Sequence, residues 1–486
     1  MIELHEKTDI ARRREEAFAY IQDFTTAAEW DPTTRDARKL TPGPVAQGSQ
    51  FELVCELPVG HITVHYTVTH LEQDNVLELQ GRSTLFDVTD IIHFTDTATG
   101  CHIDYRACFE FKGPVKILEP AMRNSMTALG RRTIEGVHSA LIDQFPEPQA
   151  RLSTQRADNW LVPGLALFSR VGYTRGRKQW QPVSACMSDK HVVVTGASSG
   201  LGFAAATELA RAGASLTLVI RDETKAEGLV NSIRRETGCE SIHIELADLS
   251  LMEEVNQLLE RLLQRGKGID VLINNAGALF NQWGETADGL EQSFALLALS
   301  PYRLTTGLKP LLVKSRQPRV INVVSGGMFS QRLELGKLQA GPDDYSGTVA
   351  YARAKRALMV LTEQWAKDWA EHGIVVNAMH PGWADTPGVA SALPGFRKLT
   401  RRILRSPQQG ADTIVWLARA TEAGKSTGKL FLDREPRATH LLSSTVEQNS
   451  QRDALQAYLD QAYLEAEATS TWQQPSVDNG NERSLA

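Results

Sequence analysis

The sequence predicts two fold classes in tandem: an α+β domain with an antiparallel sheet, then an α/β domain with a doubly wound parallel sheet. Apolar and polar residues alternate over much of the first 145 residues, as in a sheet with one buried face. A consecutive apolar run at 191–194 is followed by a glycine-rich turn, a helical pattern and a second apolar run. At 486 residues, the chain is also too long for one ordinary core.

The N-terminal half begins with a helix predicted over 12–23. Period-two stretches then cover 51–57, 62–68 and 103–111, with turn residues between them. A long helix is predicted over 117–143, because its apolar residues recur at helical spacing. A long helix that lies across a curved sheet encloses a space, and such a space is where a ligand can bind.

This half resembles the START-like, or helix-grip (SRPBCC), superfamily, which includes polyketide cyclases. The early helix, the Glu29-Trp30-Asp31-Pro32 stretch, the Gly48–Phe51 pattern, the alternating strands and the final helix carry the resemblance. It implies a domain over residues 1–147 that holds an apolar ligand, and some members of the superfamily catalyse cyclisation. We nominate no catalytic group there, since strand histidines are usually ordinary surface or core residues: His61, His65, His70, His93 and His102.

Residues 148–187 are predicted to be a linker. Between Trp160 and Trp180, four basic residues and no acidic residue stand among apolar ones. A weak contact of 160–180 with an anionic membrane surface is one interpretation. The preferred interpretation is that the apolar side chains pack on one of the domains.

The composition is that of an ordinary globular protein. A net charge of -6 gives no reason to expect a nucleic-acid partner. The five cysteines are scattered without a CxxC pair, so we expect neither a disulfide framework nor a metal site. No apolar run approaches the ~20 residues of a membrane span, and the N-terminus is too polar for a secretory signal. We therefore expect a cytoplasmic protein.

The C-terminal domain is predicted over 188–440 and begins with a nucleotide-binding turn. Gly196 permits the tight turn, Gly200 lets a pyrophosphate approach the backbone, and Gly202 allows close packing of helix on strand. The N-terminus of the following helix offers amides and a positive dipole to phosphates. The predicted cofactor contacts of this turn are Gly196, Ser198, Ser199, Gly200, Leu201 and Gly202.

Tyr351 and Lys355 are predicted to share one face of a helix, because their spacing is about one turn. A free phenol titrates near ~10, and lowering its pKa by about 2–3 requires roughly 3–4 kcal/mol. One ammonium group at about 4 Å supplies roughly this much at an effective dielectric near 20. We therefore predict that Lys355 lowers the pKa of Tyr351 enough for acid/base catalysis.

Together these features resemble the short-chain dehydrogenase/reductase family, whose parallel sheet is of the Rossmann type. The resemblance covers about residues 188–435. It implies a catalytic set of Ser325, Tyr351 and Lys355. It also implies cofactor contacts by Asp248, Asn274, Ala276, Tyr351, Lys355, Pro381, Gly382 and Thr386. One branch of the family is resembled in particular by the stretches at 325–333, 379–389, 394–396 and 409–418.

NADP is the predicted cofactor, with NAD as the alternative. Arg221 stands where the ribose 2′ substituent should lie, and a guanidinium favours a phosphate there. Asp222, one residue later, would favour the NAD hydroxyl, so the choice depends on where the second strand ends. Leu297 stands where the family commonly has an asparagine that helps to hold a proton-relaying water. Its presence puts that relay in doubt.

We predict an NADP-dependent carbonyl reductase or alcohol dehydrogenase for a hydrophobic, lipid- or polyketide-like substrate. Two alternatives stay open: a non-catalytic NADP-binding sensor, which Leu297 favours, and a cyclase acting in tandem with the reductase. A homo-oligomer is a further expectation from the resemblance. The region 441–486 is predicted to hold a helix near 452–467 and a polar tail from Thr469.

Overall fold

The computed structural model describes 1–56, 61–97, 99–142, 148, 150, 167–178, 180, 183, 186–343, 345–392 and 394–472. These residues form two compact units, each described here by itself. The main part of the first unit is Met1–Glu147, and the main parts of the second are Ser188–Ala418 and Ser426–Ala486. Pro148–Arg175 also belongs to the second unit. The domain boundaries expected from the sequence stay predictions.

The first unit is built on a seven-stranded antiparallel sheet with the order β1-β7-β6-β5-β4-β3-β2. Its strands are β1 (Ile2–Ile10), β2 (Thr34–Lys39), β3 (Gln50–Glu56), β4 (His61–Glu72), β5 (Val76–Arg82), β6 (Phe86–Thr97) and β7 (Gly100–Phe111). Its α-helices are α1 (Arg14–Gln22), α2 (Ala27–Trp30) and α3 (Glu119–Ile142).

One face of this sheet is covered by helices. In β4, every second residue from Ile62 to Val68 is buried, as the period-two pattern predicted. Ile134, Val137 and Leu141 of α3 belong to the same apolar core as these strand residues. The antiparallel sheet with a long final helix confirms the α+β class predicted for this half.

The second unit is built on an eight-stranded sheet with the order β10-β9-β8-β11-β12-β13-β14-β15. Its strands are β8 (His191–Thr195), β9 (Ser215–Ile220), β10 (Ile242–Leu246), β11 (Val271–Asn274), β12 (Arg319–Val323), β13 (Val375–Met379), β14 (Leu430–Leu432) and β15 (Glu435–Arg437). All pair in parallel except β15, which pairs with β14 antiparallel. This arrangement confirms the doubly wound parallel sheet.

The helices of the second unit are α4 (Arg170–Arg177), α5 (Gly200–Arg211), α6 (Ala226–Thr237), α7 (Met252–Arg265), α8 (Gln292–Phe294), α9 (Ser300–Gly307), α10 (Lys309–Leu312), α11 (Gly347–Asp368), α12 (Pro387–Ala392), α13 (Pro394–Thr400), α14 (Pro407–Arg419), α15 (Asn449–Asp453) and α16 (Leu455–Trp472). A π-helical stretch, Ala295–Leu299, joins α8 to α9. Every residue of β8 and β12 is buried, as expected for central strands with both faces covered.

The C-terminal helix differs from the prediction. It extends to Trp472, into residues that we predicted to be tail, and residues 473–486 lie outside the described part. No helix in the described ranges is both long and apolar enough to cross a bilayer.

Candidate active site

The glycine-rich turn lies between β8 and α5. Gly196 has a φ of +66°, and a Cβ at this position would lie 2.7 Å from the Cα of Ala276, so only glycine fits. A Cβ at Gly202 would lie 2.4 Å from the Gly196 carbonyl oxygen, which shows how closely α5 approaches the turn. Ser199 precedes α5 in extended conformation, and within the described residues its side chain caps no helix amide. The first-turn amides can therefore receive a phosphate.

The turn after β11 is fastened to the end of β8 by hydrogen bonds. The backbone amides of Asn275 and Ala276 donate to the Thr195 hydroxyl over 2.9 and 3.0 Å. The Asn275 side chain donates to the carbonyl oxygens of Thr195 and Gly196 over 2.9 and 3.1 Å. These bonds hold Ala276 against the glycine turn, which brings two of the predicted cofactor contacts together.

The first of the two asparagines, Asn274, has another environment. We predicted it as a cofactor contact, but its side-chain amide lies in the core and donates to Thr305 Oγ1 over 2.7 Å and to Asn322 Oδ1 over 2.8 Å. The Asn322 amide in turn donates to Thr362 Oγ1 over 2.8 Å. Asn274 Oδ1 has no hydrogen-bond partner in the described part of the chain.

The end of the second strand is now defined. β9 ends at Ile220, so Arg221 is the first residue beyond it. Asp222 caps the next turn, where its carboxylate accepts from the Thr224 amide over 3.1 Å and pairs with Lys225 over 3.0 Å. Arg221 is 72% exposed and lies 3.5 Å from Asp248, another of the predicted cofactor contacts. Asp222 is thus bonded to Thr224 and Lys225. The residue that stands directly after β9, where the ribose 2′ substituent is expected, is therefore Arg221 with its guanidinium group.

Ser325, Tyr351 and Lys355 come from two neighbouring elements. Ser325 follows β12, and its hydroxyl accepts from the Gly327 amide over 3.2 Å. Tyr351 and Lys355 lie one turn apart on α11, with Lys355 Nζ 5.9 Å from the centre of the Tyr351 ring. The Lys355 ammonium donates to the Val323 carbonyl oxygen over 2.7 Å. The three predicted catalytic residues therefore meet where β12 ends.

The electrostatics of this trio differ from the prediction. Burial raises the pKa of Tyr351, and a hydrogen bond with Ser325 lowers it only in part. Burial also lowers the pKa of Lys355, to about 8. The expected lowering of the Tyr351 pKa by Lys355 is not found, because burial dominates and the ammonium is held by the Val323 carbonyl.

Leu297 lies in this site, within the π-helical stretch. It is fully buried, and its Cδ2 would be 3.1 Å from a Cβ at Gly277, while Lys355 Nζ would be 3.8 Å from the same atom. A small cavity of ≈ 10 Å³ lies beside Lys355, with Asn274, Ala276 and Ser300 also in its lining. This volume is about that needed for the centre of one water molecule.

The segment 380–386 completes the site. A Cβ at Gly200 would lie 3.4 Å from Thr386 Cβ, so Thr386 faces the glycine turn. Pro381 precedes Gly382, where a Cβ would lie 2.4 Å from the Phe168 carbonyl oxygen. Beyond Thr386, residue 393 and the side chains of Phe396 and Leu399 lie outside the described part.

Two residues that lie beside the site, Phe168 and Arg405, were not among the predicted site residues. Phe168 is 2% exposed, and its ring centre lies 4.5 Å from that of His380. Arg405 is buried, pairs with Asp433 over 2.6 Å, and donates to the carbonyl oxygens of Leu167 and Phe168 over 2.7 and 3.0 Å. The apolar side of the segment 160–180 thus packs on a domain at Phe168, whereas residues 160–166 lie outside the described part.

A larger cavity of ≈ 400 Å³ lies elsewhere, near the amino ends of β8, β9 and β10. Its lining contains none of the predicted site residues. The predicted site residues lie at the opposite, carboxyl edge of the sheet, where ligands of open α/β sheets bind.

Two family models match the chain. One described as "short chain dehydrogenase" matches residues 190–395, and one described as "Polyketide cyclase / dehydrase and lipid transport" matches residues 1–141. They confirm both resemblances found in the sequence.

Curated relatives match the C-terminal part. Dehydrogenase/reductase SDR family member 12 of Homo sapiens is 42% identical over 297 residues, which cover 60% of this chain and 93% of that protein. It represents the branch that the stretches at 325–333 and 379–389 resemble.

Retinol dehydrogenase 13 of Homo sapiens is 30% identical over 285 residues, or 56% of this chain and 86% of that protein. A putative short chain dehydrogenase from Escherichia coli CFT073, solved with NADPH, has 25% identity and a TM-score of 0.42, with 51% of this chain and 97% of that chain covered.

Proposed function

The chain belongs to the short-chain dehydrogenase/reductase family, and we propose that it is an NADP-dependent oxidoreductase that interconverts a carbonyl and an alcohol on a hydrophobic substrate. One observation supports this most directly. Ser325, Tyr351 and Lys355 meet at the end of β12, and Gly277 and Ala276 connect Lys355 to the glycine turn at Gly196.

The residues present fit a dinucleotide. The turn at Gly196 and the open amides of α5 would hold its phosphates, and Thr386 faces the same turn. Arg221, directly after β9, favours the additional phosphate of NADP over the hydroxyl of NAD. When bound, the reduced cofactor supplies a hydride from its nicotinamide C4.

The proton chemistry follows from burial. A phenol with a raised pKa keeps its proton at neutral pH, so Tyr351 is suited to donate it to a carbonyl oxygen that is being reduced. Ser325, hydrogen-bonded to Tyr351, would orient the same oxygen. Lys355, with a pKa of about 8, carries its proton at neutral pH and is a source of a proton for the phenolate that remains.

The proton must then be restored to Tyr351. Leu297 cannot hold a water as asparagine does, but the cavity beside Lys355 is lined by Asn274, whose Oδ1 has no partner in the described part of the chain. A water in this cavity could accept from Lys355 and donate to Asn274 Oδ1. We therefore propose that Lys355 returns a proton to the Tyr351 phenolate and is itself reprotonated by a water in this cavity, which takes up the proton from solvent.

The substrate class is inferred from the relatives. Several are named retinol dehydrogenases, which supports an apolar alcohol or its carbonyl product. The N-terminal match to a family that includes lipid transport supports a bound apolar ligand in the first unit. Such a unit would raise the local concentration of substrate or product. The cytoplasmic location, the membrane contact of 160–180 and the homo-oligomer stay predictions.

The test is NADPH oxidation by the full chain with a panel of apolar aldehydes and ketones. Tyr351→Phe should lower kcat at least ~100-fold, because it removes the proton donor, while leaving NADPH binding within about twofold. Tyr458→Phe, which removes a hydroxyl on α16, is the matched control and should retain full activity. NADPH binding without turnover of any carbonyl in the wild-type chain would favour the sensor alternative.

A further inference from the structure

A carboxyl group lies on the apolar face of the N-terminal sheet. Asp90 in β6 occupies the same inward-facing row as Val88, Ile92 and Phe94, and is 1% exposed. Buried carboxyl groups are costly unless both oxygens have partners. The position therefore requires an explanation beyond packing.

Among the described residues, only one oxygen of Asp90 receives a hydrogen bond. Tyr105 in β7 donates to Oδ1 over 2.7 Å, whereas no described residue makes a hydrogen bond to Oδ2. A purely structural aspartate would be expected to have partners for both oxygens. The Tyr66 hydroxyl lies near enough to lower the pKa of Asp90, but Oδ2 makes no hydrogen bond of ordinary geometry to a described residue, so it can accept one from a bound group.

A glycine near Asp90 leaves space for the ring of Tyr66. Tyr66 in β4 is separated from β6 by β5, where Gly81 is the inward-facing residue between them. A Cβ at Gly81 would lie 2.7 Å from the Tyr66 ring, so glycine is what lets this ring extend toward Asp90. Tyr66 and Tyr105 keep 9% and 8% of their surface accessible although they lie on the covered face.

Aromatic rings lie around the two tyrosines, and the Asp31 carboxyl and the Cys55 thiol are also close enough to influence them. The Phe24 ring lies 5.0 Å from that of Tyr66, and the Trp30 ring lies 6.4 Å from that of Tyr105. Aromatic side chains of this kind can pack against an apolar molecule. The Asp90 carboxyl group can form a hydrogen bond with one hydroxyl or carbonyl oxygen of that molecule. The carboxylate accepts a hydrogen bond from an alcohol, and the carboxylic acid donates one to a carbonyl.

We propose that Asp90, with Tyr105 and Tyr66 beside it, is the point at which the N-terminal unit binds the alcohol or carbonyl oxygen of an otherwise apolar ligand. This inference rests on one part of the proposed function, namely that the N-terminal unit binds an apolar ligand. It adds that the ligand bears the same oxygen function that the C-terminal unit would oxidise or reduce. The N-terminal unit would then hold the substrate or product of the same chain.

The experiment compares 2-decanol with its methyl ether, 2-methoxydecane, on the full chain at pH 8.5. Calorimetry gives each Kd, and hydrogen exchange of β4–β7 peptides shows that binding occurs in this unit. The wild type should bind the alcohol roughly tenfold more tightly, since only the alcohol donates to the carboxylate. Asp90→Leu should remove this preference, whereas Asp87→Asn, an outward-facing aspartate on the same strand, should keep it.

Asp90→Asn retains size and polarity, so it distinguishes loss of the carboxylate from loss of folding, and should reduce the preference at least threefold. An equal preference in the wild type and Asp90→Leu overturns the proposal. Equal binding of both compounds to the wild type also overturns it, while leaving apolar-ligand binding intact. Absence of protection in β4–β7 with either compound overturns both the proposal and the ligand-binding role of the unit.

Discussion

Replacing Asp90 by asparagine should remove a large part of the pH dependence of stability of the N-terminal sheet. Burial raises the pKa of Asp90 from 3.8 to about 7. A raised folded-state pKa means that stability is fully present below the unfolded value and is lost as the pH rises toward the folded value. With these two pKa values, the easier ionisation of Asp90 in the unfolded state lowers the free energy of unfolding of the wild type, relative to strongly acidic pH. The loss is about 1 kcal/mol at pH 4.5 and about 4 kcal/mol at pH 8.5.

Asparagine keeps the shape and can still accept from Tyr105, but it does not titrate. The variant should therefore gain about 3 kcal/mol relative to the wild type between pH 4.5 and pH 8.5. Hydrogen exchange of β4–β7 peptides in the full chain measures this as the free energy of opening at each pH, after correction for intrinsic exchange rates.

Asp87→Asn is the control, because Asp87 lies on the outer side of the same strand and makes an exposed pair with Lys112. Its effect should stay within about 1 kcal/mol at both pH values. If the difference between Asp90→Asn and the wild type is the same at pH 4.5 and pH 8.5, the carboxyl group is not held neutral by burial and the reasoning is wrong.

Three further outcomes are expected in the second unit. The kcat for carbonyl reduction should fall above pH ~8, where Lys355 loses its charge. A kcat that stays constant up to pH 10 would contradict the role given to Lys355. Arg405→Met should lower the free energy of unfolding by about 3–5 kcal/mol in urea titrations, because it leaves the buried Asp433 unpaired. Arg397→Met breaks a more exposed pair and should lower the free energy of unfolding by less than about 1 kcal/mol. Equal losses would refute that contrast. Arg221→Ala should weaken NADPH binding about tenfold and NADH binding less than twofold by fluorescence titration, and equal weakening would remove the basis for NADP preference.

The sequence predicted three strands of the first unit from their alternating apolar residues and left the others unpredicted, among them β2. β3, β4 and β7 bury alternate apolar residues, so their periodicity was visible. β2, Thr34–Lys39, has one buried residue and lies at the edge of the sheet, so its pairing with β3 is decided by backbone hydrogen bonds. With a single buried residue, β2 lacks the apolar alternation on which sequence reasoning depends.

The candidate site shows the same division. Ser325, Tyr351 and Lys355 were predicted from spacing and resemblance, and the structure brings them together. The direction of the Tyr351 pKa shift was predicted wrongly, because the cost of burying the phenolate depends on all the neighbours that exclude water. Asp90 could have been suspected from one signal, an acid in an inward-facing position of an alternating strand.

By itself, the sequence determined the two fold classes, the glycine turn and the tyrosine–lysine pair, because each depends on residue types at fixed local spacing. Only the tertiary structure decided which groups are buried and which distant residues meet. Phe168 reaches His380 and Arg405 reaches Phe168 across more than two hundred residues of chain. Burial and such contacts set the charge state of Tyr351, Lys355 and Asp90, since desolvation depends on the whole packed surroundings and not on the local chain.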